Sequence, residues 1–419
     1  MTIVDKQRTR SLMEKGLSRL QRQGFLLPEP TRKSLELRQK AVEFVARLPR
    51  RNDVCAIVLT GSAVVGNSGK GSDIDLCVIV KGTASPLRKH DFDGIVADVQ
   101  EVEESNFLRD YSSGENAKYL THIVCLYDPT GVFRRLQRKM LRAYYSEKEM
   151  AKETERVKNT VEEQTRLGLN LMRQGYLCEA AIPLDSCFFE AASLLIRRQH
   201  GVASINLLLD EVFRIGKALG RPHWEKCAIR CLRLDCSPHA YRQLIVNHDR
   251  MLSLMRRKLN KNVSLVRRMK RLKFKGPLSL CNILETICAE TGAQQVRDKV
   301  ERALAAKRPH QAGLCFLYES SCDFFIFSPF FYLKNANPYA SALEICRQSV
   351  PDLLKYWDGD AREEWKAIMR ADRLTRSRLV ELDNLNGEIL SPFCASDLQR
   401  KRKPSLHRRE VGGGDQRTG

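Results

Sequence analysis

The chain contains no apolar run approaching the eighteen or so residues that a membrane-spanning helix needs, so no transmembrane segment is expected. Its first residues, Met1 to Arg8, lack the apolar core of a secretory signal. The fourteen cysteines are scattered singly, which argues against the paired framework of a secreted disulfide scaffold and for buried, reduced thiols. No internal repeat is visible. From Arg250 to Lys275 there is no acidic residue, and Phe274 is the only aromatic one. These absences lead to the expectation of a soluble, cytoplasmic, globular protein without a membrane partner.

What is abundant is positive charge. In 419 residues, 43% hydrophobic and 29% charged, the formal net charge is +21. That length predicts two or three domains with ample chain for a core, and such a charge predicts attraction to polyanions. The acid-free stretch carries Arg256, Arg257, Lys258, Arg267, Arg268, Lys270 and Arg271 among apolar side chains. It reads either as a helical pair with one solvated basic face or as a surface that tracks nucleic-acid phosphates. Without interleaved aromatics to stack unpaired bases, backbone contact is the expected mode.

Two apolar, β-branched runs, Val54–Leu59 and Leu76–Val80, read as buried strands. A Gly61-Ser62 turn follows the first, and Asp73-Ile74-Asp75 opens the second after a gap of ten residues. Residues two apart on a strand share a face, so Asp73 and Asp75 point the same way, about 7 Å apart. Carboxylates so spaced suit Mg²⁺, which takes one or two of them with phosphate oxygens and water. The rival reading of Ser68-Gly69-Lys70-Gly71-Ser72 as a P-loop fails on spacing, because Val64 and Gly71 stand where Gly and Ser or Thr are required. Lys70 stays a candidate phosphate contact.

Further strands are expected over 94–102 and 121–127. Helices are expected from Leu12 to Leu48 with a break at Pro28 and Pro30, then over 155–173, 178–200 and 207–219, with a helical period returning over 353–383. The aromatic-rich segment 315–332 fits a strand pair or a buried helix. The class is α+β: a small mixed-sheet domain followed by a mostly helical region. The expected division is N-terminal helices over 1–52, a core over 53–135, a helical domain over 136–310, a mostly helical region over 311–395 and a basic disordered tail over 396–419.

The pair Thr60-Gly61-Ser62 and Asp73-Ile74-Asp75-Leu76 resembles the signature of the DNA polymerase beta superfamily of nucleotidyltransferases. The helices from about Glu155 to His200 are similar to the partner domain of aminoglycoside-type members. The resemblance spans about Leu35 to Gly201. It implies that Gly61 and Ser62 hold the triphosphate of an NTP, that Asp98 in Val96-Ala97-Asp98-Val99 supplies a third carboxylate, and that Asp73, Asp75 and Asp98 carry two Mg²⁺ and form the catalytic set. Small bacterial members commonly have an Arg shortly after the Gly-Ser, where this chain has Val64 and Val65. Either Lys70 or Lys81 takes its place, or the nucleotide sits differently.

Two other constellations are weaker. His223, Cys227, Cys231, Cys236 and His239 put five soft-metal donors within seventeen residues, but their spacing matches no standard zinc pattern and a helix with buried thiols is the plainer reading. Arg242-x5-His248 fits the loose pattern of HEPN ribonucleases, a match expected by chance in so basic a chain. The expected function is transfer of a nucleoside monophosphate to an acceptor hydroxyl with release of pyrophosphate. A nucleic-acid end, most readily RNA, is favoured over a small polyol such as an aminoglycoside or a protein hydroxyl. The alternative is a non-catalytic nucleic-acid-binding protein that keeps the fold.

Overall fold

The computed structural model describes residues 5–22, 29–49, 51–69, 71–112, 117–200, 207–261, 291–305, 307–318 and 366–394. Two helices come first, α1 (Lys6–Arg22) and α2 (Arg32–Arg47). Thr31, in extended conformation, accepts a hydrogen bond from the Ser34 amide at 3.1 Å and so caps α2. The helix stops at Leu48, again extended, as a residue before proline must be. Its stripe of Leu37, Ala41, Val42, Phe44 and Val45 is buried against the sheet.

That sheet has five strands: β1 (Val54–Thr60), β2 (Ile74–Val80), β3 (Arg88–Phe92), β4 (Ile95–Glu103) and β5 (Val124–Tyr127). They lie in the order β3-β4-β2-β1-β5, with β2 and β4 parallel and every other pair antiparallel. Strand β3 escapes sequence reading because Arg88, Lys89 and Asp91 break apolar alternation, as is usual where an edge must resist unwanted pairing. The Asp93-Gly94 turn after it has positive φ at both residues, the geometry that joins tightly twisted strands. The strand expected over 121–127 is shorter at its start. A 3-10 helix, Ala117–His122, takes its first residues, and the Gln137 amide donates to the carbonyls of Leu120 and Ile123 at 3.0 and 2.8 Å. Those carbonyls are satisfied without a strand neighbour.

Between β1 and β2 the expected turn includes a short helix, α3 (Gly61–Val65), whose Val64 and Val65 are buried. The buried Arg38 of α2 holds it, donating from Nε to the Ala63 carbonyl at 2.7 Å and from Nη2 to the Val64 carbonyl at 2.8 Å. After β4 come α4 (Glu104–Ser112) and, beyond β5, α5 (Val132–Tyr144), which closes the first core.

The rest of the described chain is helical: α6 (Glu147–Arg173), α7 (Leu177–Arg198), α8 (Leu208–Ala218), α9 (His223–Cys231), α10 (Pro238–Lys261), α11 (Thr291–Ala305), a helix over 309–318 and a last helix, Arg376–Cys394. Helix α6 begins eight residues before the expected start because Ser146 accepts from the Glu149 amide at 3.3 Å, a Ser-x-x-Glu cap. These helices share a second core centred on α7, whose Leu184, Phe188, Ala191 and Leu195 are fully buried. Arg197 joins the cores: its guanidinium lies 3.5 Å from the Tyr144 ring centroid and donates to the Tyr144 carbonyl at 2.5 Å. The aromatic segment expected over 315–332 is helical as far as residue 318 and otherwise lies outside the described residues. Of the helical period expected over 353–383, residues 353–365 lie outside them, and the remainder includes a 3-10 turn, Ala371–Arg373, and the start of the last helix.

Replacing Arg38 by Met should leave the Ala63 and Val64 carbonyls buried without donors. Urea unfolding should then show a loss of about 1–3 kcal/mol, and a loss near zero would mean that α3 is held by packing alone.

Candidate active site

The parallel pairing of β2 with β4 sets Asp75 opposite Asp98. Neighbouring strands lie about 4.8 Å apart, so the two carboxylates stand side by side on one face. Asp73 precedes β2 and is close enough for its charge to act on Asp75. Burial, then Asp73, then Asp98 push the Asp75 carboxyl up to about 7, with Arg302 and Lys89 pulling the other way. Asp98 Oδ2 pairs with Lys89 at 3.2 Å, while its Oδ1 is buried with no hydrogen-bond partner. Three hard oxygen donors that repel one another, one with an orphaned buried oxygen, form a set that dications would complete, so the residues present fit Mg²⁺.

Gly61 makes this cluster possible. On β1, Thr60 pairs with Asp75, which brings Gly61 directly against that carboxylate. Its φ is +70°, and a Cβ there would lie 1.9 Å from Asp75 Oδ2. No larger residue fits without displacing the carboxylate or straining the backbone. Ser62 follows at the start of α3, which no side chain caps. The Ser68 hydroxyl donates to Ser62 Oγ at 3.1 Å, and Thr31 Oγ1 donates to the Ser68 carbonyl at 2.8 Å. The cap of α2 thus fixes the loop that frames Ser62. Lys70, the expected phosphate contact in this loop, lies outside the described residues.

Ser62, Asn67, Gly69 and Ser72 form one wall of a cleft of about 570 Å³, open to solvent. Lys299 and Arg302 of α11, with Arg308 and Gln311 beyond it, form the opposite wall. The cleft therefore has polar loops on the sheet side and three cations on the helical side, and the charge of Arg302 reaches Asp75. Sequence reasoning missed these residues. Their spacing at 299 and 302 marks one helix face, but the denser charge at 250–275 drew the expectation away, and nothing in the sequence states which face meets the sheet.

Of that denser stretch, Arg256, Arg257 and Lys258 fall on α10 but outside the described side chains, and Arg267, Arg268, Lys270 and Arg271 lie outside the described residues. Arg242 and His248 form no joint site among the described contacts. Arg242 pairs with Glu301 at 2.9 Å, and His248 is fully buried with its ring edge-on to Phe316. The five soft donors separate as well: His223 joins Glu388 at 2.8 Å, whereas Cys227 and Cys231 meet Glu381.

Gly61→Ala should lower stability by at least about 1–2 kcal/mol from the left-handed backbone alone, read by chemical unfolding; an unchanged midpoint would mean that neither the backbone conformation nor the Asp75 carboxylate constrains this position. A carboxyl raised by folding favours the folded state fully below its unfolded value of 3.8 and loses that advantage as pH climbs to about 7. In EDTA, the melting temperature of Asp75→Asn minus that of the unaltered chain should therefore rise between about pH 4 and 7 and level off above. A flat difference would show that Asp75 is not under strain.

No curated protein matches the chain. A nucleotidyltransferase-like protein from Exiguobacterium sibiricum, known from a crystal structure, is similar at a TM-score of 0.25 and 9% identity, over 77% of this chain and 90% of that one. Residues 39–119 match the family model described as the nucleotidyltransferase domain, a span that runs from within α2 to the 3-10 helix and includes Gly61, Ser62, Asp73, Asp75 and Asp98. By that match, the stretch that carries Gly61, Ser62 and the three aspartates is similar to a nucleotidyltransferase domain.

Proposed function

We propose that the chain is a Mg²⁺-dependent nucleotidyltransferase that moves a nucleoside monophosphate from an NTP to an acceptor hydroxyl and releases pyrophosphate. The observation that carries this reading is the register pairing of Asp75 with Asp98 beside Asp73, with Gly61 pressed against Asp75. Asp73, Asp75 and Asp98 would hold two Mg²⁺, which when bound supply Lewis-acid activation of the acceptor hydroxyl and neutralise charge on the phosphates. The chain's own residues then orient the substrate. Ser62 and the amides of α3 face the polyphosphate, since glycine before them lets the backbone come close. Arg302 and Lys299, across the cleft, supply the positive charge that Val64 and Val65 cannot, because those two side chains are turned into the core.

This reading places the triphosphate between the sheet domain and α11, so both parts of the chain shape the site. A net charge of +21 favours a nucleic-acid acceptor. Singly scattered cysteines favour a cytoplasmic setting.

The test is pyrophosphate release from each NTP with Mg²⁺, in the presence of pooled RNA, an aminoglycoside mixture or a protein acceptor. The acceptor that stimulates release names the acceptor class. Asp73→Ala/Asp75→Ala should lower release at least about 100-fold, the scale of losing one preorganised electrostatic contact. Release that survives in that variant would overturn the assignment of the aspartates. No release with any pairing, while the chain still retains RNA on a filter, would favour the non-catalytic nucleic-acid-binding reading. Arg302→Ala should raise the KM for the NTP about 10- to 100-fold, the equivalent of one charge-assisted hydrogen bond; an unchanged KM would remove α11 from the site.

A further inference from the structure

Helix α9 and the Arg376–Cys394 helix lie side by side and antiparallel: His223 meets Glu388 at 2.8 Å at one end, and Arg230 pairs with Glu381 at the other. Trp224 Nε1 also donates to Glu388, at 3.0 Å. Cys227 lies between these contacts and Cys231 just past Arg230, one helical turn apart on the same face of α9. Their sulfurs are 3.9 Å apart, and Cys227 Sγ is 3.4 Å from Glu381 Oε1. All three donor atoms lie within 4.8 Å of one another.

These separations match a coordination sphere as well as a hydrogen-bonded pair of thiols. For zinc–sulfur bonds of about 2.3 Å and a zinc–oxygen bond of about 2.0 Å, tetrahedral angles require about 3.8 Å between sulfurs and about 3.5 Å from sulfur to oxygen. The charges also close: two thiolates and a carboxylate balance a divalent ion together with the Arg230 guanidinium beside Glu381. Arg230 stands where the outer partner of a metal-bound carboxylate commonly stands, orienting it by hydrogen bonding. Cys231 is fully buried, whereas Cys227 and Glu381 are partly exposed, so the site opens to solvent on one side.

We infer that Cys227, Cys231 and Glu381 form a site for Zn²⁺, with water as the fourth ligand, which clips the last helix onto α9. Two sulfurs select a soft or borderline ion over Mg²⁺. Binding requires both thiols to lose their protons, so uptake releases two protons and tightens as pH rises. The site is separate from the three aspartates and does not depend on the proposed transfer reaction.

The test is titration of the full chain with Co²⁺, a spectroscopic stand-in for Zn²⁺, with Mg²⁺ in excess to occupy the aspartates. The expected result is one equivalent bound with a thiolate-to-cobalt charge-transfer band, which Zn²⁺ abolishes. Cys227→Ser and Glu381→Gln, both at partly exposed positions, should keep the far-ultraviolet circular dichroism of the unaltered chain. Cys227→Ser should lose most of the band, and Glu381→Gln should weaken Co²⁺ binding at least tenfold. Absence of a thiolate band in the unaltered chain would overturn the inference. So would a band of equal intensity in Cys227→Ser, which would assign it to other thiols.

Discussion

The pairing of β2 with β4 in parallel is the constraint on which the site depends. A shifted register would put Asp75 and Asp98 on different levels of the sheet; the observed register puts them opposite each other. Folding thereby buries Asp75 and sets it beside carboxylates that repel it, and burial, then Asp73 and Asp98, push its carboxyl up to about 7. Much around them serves that placement. Gly61 yields space that any side chain would fill, and Arg38 pins α3 by two carbonyls. The cap of α2, through Thr31 and Ser68, fixes the loop beside Ser62.

A second consequence concerns where positive charge enters. Val64 and Val65 serve the core, which is why the segment after Gly61-Ser62 carries no cation. In the described structure the cations facing the same cleft come from α11 and the segment just beyond it. In the proposed reading, substrate binding then requires the helical region to be seated against the sheet domain. Contacts such as Arg197 on Tyr144 link the two cores, and a buried ion pair between Asp185 and Arg233 at 2.6 Å stiffens the helical one.

The parts of the fold legible in the sequence were those governed by local rules. The apolar runs of β1 and β2, the Gly-Ser and Asp-x-Asp spacing, and the stripes of α2 and α7 each carry a period or turn signal that survives into the structure. Strand β3 was not legible because an edge strand gains from charge what a central strand gains from apolar alternation. The start of β5 was lost to a 3-10 helix stabilised by Gln137, a contact from fourteen residues or more away. The facing of Asp75 and Asp98 follows from strand order, which composition does not encode; only the family resemblance pointed to Asp98. Lys299, Arg302 and Arg308 were illegible for the same reason, since a helix face becomes a binding wall only through tertiary packing. The closeness of Cys227 and Cys231 was implied by their spacing, but Glu381, 150 residues further on, was not.

The central claim is that the three carboxylates are held together to bind two dications. Its most direct measurement is the count of Mn²⁺ bound per chain, by electron paramagnetic resonance of the free ion, in the presence of a non-hydrolysable NTP analogue. The account predicts two ions for the unaltered chain and at most one of them for Asp75→Asn, with no change for Cys227→Ser. Equal binding by the unaltered chain and Asp75→Asn would contradict it.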